Sequence, residues 1–487
     1  MRLKLWLAAA AFVTTAPAFA QTPPLVADGG FLATPIAECK TDLRYINQVG
    51  GWQTAWPREW EGVAAGGDID AALTRWKAAP AALATAQTRL QGGIDANETA
   101  PRAAVIRVHQ QVRDLASAIE ARDPKYFSEA DERAAWNTLL ADDILPALQS
   151  YEAFLRMTYL PAARTNPGMS DWEGGGACFE QAALWWTTLD LPSEEIERIG
   201  KRILKETRND LVASTDDGET FDEIMTRLRD RQTNDETTAT ELIAISEAAL
   251  KRAEEQTLTA FTKTANTDIV VREMPAHMRA SFPAGLYQRP EGDGPAAYVI
   301  NPSRPAERRL MAEVIAFHEG APGHHLFFAY PRDAEVSGYN AGLLEGWAIY
   351  AEYLADEMGL YSTRFDRQGM IAKHLWAASR LVVEPGLHLH GWSREDAITF
   401  MLENTLLSRT EIEIEVDRYI AMPGQSLSYM LGADFLLTAR ENARGAMGDD
   451  FDLRAFHDVV LEAGVRPLPE VGADIERWAN QNETSVD

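Results

Sequence analysis

The segment His318-Glu319-Gly320-Ala321-Pro322-Gly323-His324-His325 constrains this chain more than any other, and it holds three of the nine histidines. A His-Glu pair followed by another His on the same helix face is the arrangement by which two imidazoles grip one zinc ion, with the Glu placed to take a proton from water. The usual spacing, i and i+4, sets the rings about 6 Å apart along the helix axis, so that both reach a metal at about 2.0–2.1 Å. Here the later histidines stand six and seven residues after the first. On an unbroken helix the sixth residue is turned about 240° away, and the seventh lies about 10 Å along the axis. One shared metal therefore requires a distorted helix. Pro322 has no N–H for the carbonyl of His318 and its ring disrupts that turn, while Gly320 and Gly323 adopt dihedrals closed to other residues. A bulge that absorbs two residues would bring His324 to the i+4 place, so His324 is preferred over His325 as the second ligand. The blander reading is a helix end with surface histidines. The apolar flanks Val314, Ile315, Phe317 and Leu326, Phe327, Phe328 weigh against it.

A catalytic zinc site takes a third protein ligand and leaves a fourth position open. Downstream, Glu345-Gly346-Trp347-Ala348-Ile349-Tyr350-Ala351-Glu352 places two carboxylates on one helical face, at i and i+7. Glu345 is the candidate ligand, and Glu352 the candidate group that orients a ligand histidine from behind. Two solvated helix carboxylates are the alternative, although the Trp and Tyr between them do not suit a simple charged surface.

The rest of the chain frames this motif. Arg2 and Lys4, the short apolar run Leu5–Val13 and Ala18-Phe19-Ala20 have the three-part layout of a secretory signal peptide, with cleavage expected between Ala20 and Gln21. No Cys stands at the cleavage point, so a lipid anchor is not expected there, and no later stretch is apolar enough to span a bilayer. The expected product is exported, periplasmic or secreted. Cys39 and Cys178 are the two cysteines; a disulfide and two free thiols both remain open. A net charge of −27 excludes nucleic acid as a partner and disfavours anionic membranes.

Apolar repeats at three and four, as in Ala71–Leu90 and Ala103–Ile119, predict helices through most of the chain. Ser193 is a candidate N-cap, and Ser393-Arg394-Glu395-Asp396 a capping pattern. The Pro- and Gly-rich texture of 269–305 with Ala296–Ile300 predicts a strand just before the motif helix. The fold class is mainly α: a large helical zincin-like fold with a small β-sheet beside the zinc-binding helix. The mature part, 21–487, divides into a helical portion (21–265) and a portion carrying the strand and the motif (266–487).

His-Glu-Gly-Ala-Pro-Gly-His-His followed by Glu-Gly-Trp-Ala-Ile-Tyr-Ala-Glu resembles the bacterial family called domain of unknown function 885. So do Pro101-Arg102, Tyr159–Arg164, Thr187–Leu191, Gly386-Leu387-His388, Gly391-Trp392-Ser393, Arg418-Tyr419 and Pro423-Gly424-Gln425, dispersed in order along the mature chain. The motif is also similar, more distantly, to the thimet-oligopeptidase-like and Taq-type carboxypeptidases. Those are helical zinc peptidases in which a Gly precedes the second ligand His, and this chain departs from them by its two-residue insertion. The resemblance implies one zinc ion on His318, His324 and Glu345, with Glu319 as general base.

Around that centre, His388 or Tyr419 is a candidate donor to the oxyanion formed in hydrolysis. Arg380 and Arg418 are candidates for a substrate carboxylate, although Glu411, Glu413, Glu415 and Asp417 offer Arg418 a structural ion pair instead. Gln425 and Tyr429 are further candidates. The strand from Ala296, with Tyr298 and Asn301, could pair edge-on with a peptide. His109, His277, His374, His390 and His457 receive no role. The leading expectation is a metallopeptidase acting on a peptide. A zinc hydrolase of small non-peptide amides or esters, and a non-catalytic peptide-binding protein with a degenerate metal site, are the rivals. Substrate identity, exo- or endo-cleavage and oligomeric state are not readable from the residues.

Overall fold

The computed structural model describes residues 39–483, apart from 45, 55–73, 75, 121–129, 216–217, 275–278, 280–283, 291–293 and 333–338. The expected leader, the start of the Ala71–Leu90 segment and His277 lie outside the described residues. The three-and-four apolar repeats form α1 (Ala79–Asp95), α2 (Arg102–Glu120) and α3 (Leu145–Phe154). Leu90, Val105, Val112 and Leu148 from these helices close an apolar cluster drawn from residues 46–163. A disulfide joins Cys39 to Cys178 on α4 (Gly175–Thr187), with the two Cα atoms 5.9 Å apart.

Next come α5 (Ser193–Ala213), α6 (Phe221–Thr233) and α7 (Ala239–Ala260). The N-cap position of α5 is Pro192, not Ser193. The N–H and hydroxyl of Ser193 both bond Glu180, at 3.1 and 3.0 Å, which ties α5 to α4. Helices α5–α7 share one core with the motif helices. One apolar cluster is drawn from residues 46–163, and the other from Cys39 and from Met169 onward.

The sheet holds β1 (Ile269–Glu273), β2 (Gly285–Gln288) and β3 (Ala296–Ile300) in the order β1-β3-β2. β3 pairs parallel with β1, Ile269 opposite Ala296, and antiparallel with β2, Gly285 opposite Ile300. The run Ala-Ala-Tyr-Val-Ile is buried throughout, as a continuous apolar stretch should be in a central strand. Both of its edges are occupied, so the expected peptide pairing along Ala296–Asn301 has no free edge to use.

Beyond the sheet run α8 (Ala312–Glu319), α9 (His324–Ala329), α10 (Ala341–Glu357), α11 (Arg364–His388), α12 (Arg394–Asn404), α13 (Arg409–Ala421) and α14 (Leu427–Met447), then helices Leu453–Leu461 and Leu468–Glu483. The capping box at Ser393 and Asp396 opens α12 as the sequence predicts. Among the described residues no helix is long and apolar enough to cross a membrane.

Helices α10 and α14 meet backbone to backbone. A Cβ on Gly432 would lie 2.0 Å from the carbonyl oxygen of Gly342, and one on Gly346 would lie 2.5 Å from the Cα of Gly432. Glu345 sits between two of these glycines, so the seam sets its height over α8. Gly432→Ala should therefore cost about 1–3 kcal/mol through overpacking. Gly445→Ala on the same helix, with nothing within 4 Å of the added carbon, should stabilise by about 0.4–1 kcal/mol. Urea unfolding of the two variants checks the contrast; equal effects would mean the seam is looser than described.

Candidate metal centre

Helix α8 stops at Glu319, the chain turns through 320–323, and α9 restarts at His324. The sequence suggested a bulge within one helix; the structure has a complete break. Pro322 cannot continue the ladder, and the N–H of Gly323 turns back to the carbonyl of Phe317 at 3.0 Å. A Cβ on Gly323 would stand 2.0 Å from the carbonyl oxygen of His318, so only glycine closes this turn. The indole N–H of Trp347 on α10 donates to the Pro322 carbonyl at 3.0 Å and holds the turn from outside. The break brings the His318 and His324 rings to 4.8 Å between centres, at 81°.

Glu345 completes the group. Its Oε2 lies 3.4 Å from His318 Nε2 and 3.5 Å from His324 Nε2. One ligand atom from each of the three residues falls within 4.8 Å of the others. Ligands at about 2.0–2.1 Å around a tetrahedral zinc stand about 3.3 Å apart, so spacing and donor types both fit that ion. Burial would raise the Glu345 carboxyl, but hydrogen bonds from His318 and His324 outweigh it and hold the group well below the usual carboxylate range.

Behind His318, Nδ1 meets Glu352 Oε1 at 2.6 Å and lies 3.1 Å from Lys373 Nζ. Glu352 is wholly buried and also bonds Lys373 and His374 Nε2, the latter at 3.0 Å. Burial opposes its charge; the Lys373 ammonium, His318 and His374 overcome that and keep the carboxyl well below its ordinary value. Glu352 thus occupies the orienting place expected of it. Lys373 and His374 were not foreseen, because their route to the site is a neighbouring helix with no local motif.

His325 faces the other way. Successive helix residues point about 100° apart, and its Nδ1 lies 3.4 Å from the Tyr287 hydroxyl on β2. Burial pushes its pKa down to about 4. It belongs to the contact with the sheet, which removes it as an alternative ligand. Glu319, largely buried, closes α8 directly after His318 and acts electrostatically on Tyr298.

Several expected site residues are placed elsewhere. Tyr298 is buried in the core beneath the motif helix. Asn301, fully buried, donates to the Arg279 carbonyl and accepts from Ser303. His388 is fully buried, stacked on Phe179, with Nε2 3.1 Å from the Tyr419 carbonyl; burial takes it down to about 3. The Tyr419 hydroxyl receives Trp376 and Arg380, each at 3.1 Å, and donates to Glu415. His388 is thus enclosed in the core, and the Tyr419 hydroxyl is engaged by three side chains.

Tyr429 lies beside the cluster. Its ring runs nearly parallel to His318, 6.3 Å away at 13°, and burial, aided by Glu345, pushes its hydroxyl up to about 12. Gln425 bonds it and also accepts from Arg418. Tyr339, which the sequence gave no reason to single out, feels Glu345, Tyr429 and Arg418 together and is partly exposed at 38%.

The molecule is thus a mainly helical protein with a small mixed sheet, built around a buried cluster of two histidines and one carboxylate. It matches the family described as "Bacterial protein of unknown function (DUF885)" over residues 39–475, and the chain belongs to that family. No curated protein matches it. Among solved structures it is similar to one described as "the putative lipoprotein from Colwellia psychrerythraea", with 23% identity, 90% of this chain and 81% of that chain covered, and a TM-score of 0.80. Another, described as "a putative lipoprotein of unknown function from Shewanella oneidensis", is 16% identical, with 90% and 83% covered and a TM-score of 0.67. These two likenesses show a shared fold.

Glu384 on α11 carries a pH dependence. Wholly buried, it accepts from the N–H groups of Gly424 and Ser426, at 2.7 and 3.2 Å, and so holds the loop before Tyr429. Burial pushes its carboxyl up from 4.5 to about 7 against those donors. The folded chain therefore binds this proton more tightly than the unfolded chain. The resulting stability is fully present below about pH 4.5 and is lost as pH rises through about 7. In Glu384→Gln this loss should vanish, so thermal melts from pH 4.5 to 7.5 should show the variant gaining on the wild type as pH rises. Parallel curves would contradict the assignment.

Proposed function

We propose that this protein is an exported zinc-dependent hydrolase, and most specifically a metallopeptidase. The observation that carries the reading is that Glu345 Oε2 lies 3.4 Å from His318 Nε2 and 3.5 Å from His324 Nε2, close to the ligand spacing of one tetrahedral ion, with a ligand atom of each residue within 4.8 Å of the others. His318, His324 and Glu345 would hold the ion, and zinc in such a setting supplies Lewis acidity toward water and a carbonyl oxygen.

The chain's own groups supply the rest. Glu352 accepts from His318 Nδ1 and so aims Nε2 at Glu345. Glu319 takes the proton of the attacking water as its oxygen bonds the amide carbon, then passes that proton to the leaving nitrogen as the C–N bond breaks. Tyr429 donates its hydroxyl to the carbonyl oxygen as negative charge grows there, a role for which a phenol that stays protonated is suited. Export is supported by the leader-like residues 1–20 and by the Cys39–Cys178 disulfide, which suits an oxidising compartment. The two similar structures are described as lipoproteins, which agrees with export.

Metal analysis after purification should find about one zinc per chain, lost on His324→Ala and retained on His325→Ala. Glu319→Gln should keep the zinc and lower peptide turnover by at least ~100-fold. Full activity in Glu319→Gln, or unchanged zinc in His324→Ala, would overturn the assignment.

A further inference from the structure

Resting on the peptidase reading above, we propose that Arg380 and Arg418 form the receptor for the free carboxylate of a peptide's last residue, so that the enzyme trims chains from the carboxyl end.

The charge count motivates it. Arg380 bonds Glu415 at 3.1 Å, and Arg418 grips the same carboxylate through two nitrogens at 2.6 and 3.2 Å. Among the described residues, Glu415 is the one carboxylate bonded to either guanidinium. Two permanent cations thus share one anion in a wall where Arg380 is only 4% exposed and Glu415 only 9%. Two guanidiniums with one bonded carboxylate between them can take a second, and a bidentate carboxylate is the partner that suits a guanidinium best.

Position gives the surplus charge its meaning. Tyr429 is the common neighbour of the cluster and the arginines. Its ring centre lies 6.3 Å from that of His318, 4.5 Å from Arg380 Cζ and 6.0 Å from Arg418 Cζ. Neither guanidinium can therefore be more than about 11–12 Å from the His318 ring. In a peptide, the terminal carboxylate carbon lies within ~4 Å of the preceding carbonyl carbon. Adding ~2 Å for each bond at the metal and ~4 Å for an arginine–carboxylate contact gives a span of the same size. At that upper limit a single residue beyond the cleaved bond spans the distance, and a longer segment is not needed.

Tyr419, Glu415 and Gln425 pack against the arginines, all buried and hydrogen-bonded to them or to one another.

The test uses zinc-loaded protein, acetyl-Ala-Ala-Phe and its carboxyl-terminal amide. The free acid should release phenylalanine, with kcat/KM about 100-fold above that of the amide. Arg418→Gln should lose most of that preference, chiefly through a raised KM, while Arg418→Lys should recover part of it; Arg380→Gln is the second variant if Arg418→Gln fails to fold. Equal cleavage of acid and amide, or cutting at internal bonds, would overturn this inference and leave the peptidase reading standing. If no peptide is cleaved, the peptidase reading falls. Equilibrium dialysis of both peptides with Glu319→Gln protein then decides the receptor alone: tighter binding of the acid supports it, and equal or absent binding overturns it.

Discussion

The turn through 320–323 is the constraint on which the centre depends. His324 stands six positions after His318, and no continuous helix can bring the two imidazoles together at that distance in sequence. Ending α8 at Glu319 and restarting at His324 solves the geometry, at the expense of a helix junction inside the core. That junction is tolerable because its polar groups are met: Gly323 turns back on Phe317, His325 bonds the Gly320 carbonyl at 3.1 Å, and Trp347 takes the Pro322 carbonyl. Remove the glycine at 323 and a side chain meets the carbonyl of His318 itself.

Three further elements fix what the turn presents. The glycine seam lets α14 approach α10, so Glu345 and Tyr429 arrive on adjacent helices. Helix α11 supplies Lys373 and His374 beneath the cluster, Arg380 beside Tyr429, and Glu384 under the loop before α14. Helix α13 brings Glu415 and Arg418. The buried charged groups in these layers are hydrogen-bonded, Arg380 and Arg418 to one shared carboxylate, Glu415, and Lys373 to Glu352, and such bonding is the condition under which ionised groups persist in a low-dielectric interior. Truncating one partner leaves the other exposed to the full desolvation cost.

Much of the candidate cluster was legible because its residues are local. His318, Glu319 and His324 share one segment, the apolar flanks announce burial, and Glu345 with Glu352 repeat at helical spacing. The helical class and the strand before the motif follow from periodicity for the same reason. What stayed hidden is set by tertiary packing. Lys373 and His374 reach Glu352 from a helix whose own pattern says only "core". His388 and Tyr419 look like site residues by type, yet a fully buried imidazole bonded to a carbonyl and a phenol shared among Trp376, Arg380 and Glu415 are structural. Strand order was also out of reach: Ala296–Ile300 reads as a strand from its residues, but its central place comes from pairing with segments distant in the chain.

The most direct test of the centre is an anomalous difference map at the zinc edge from crystals of the zinc-loaded protein. The account predicts a single strong peak within bonding distance of His318 Nε2, His324 Nε2 and a Glu345 oxygen, with His325 still turned toward Tyr287. A peak coordinated by His325, or no peak among these residues at saturating zinc, would contradict it.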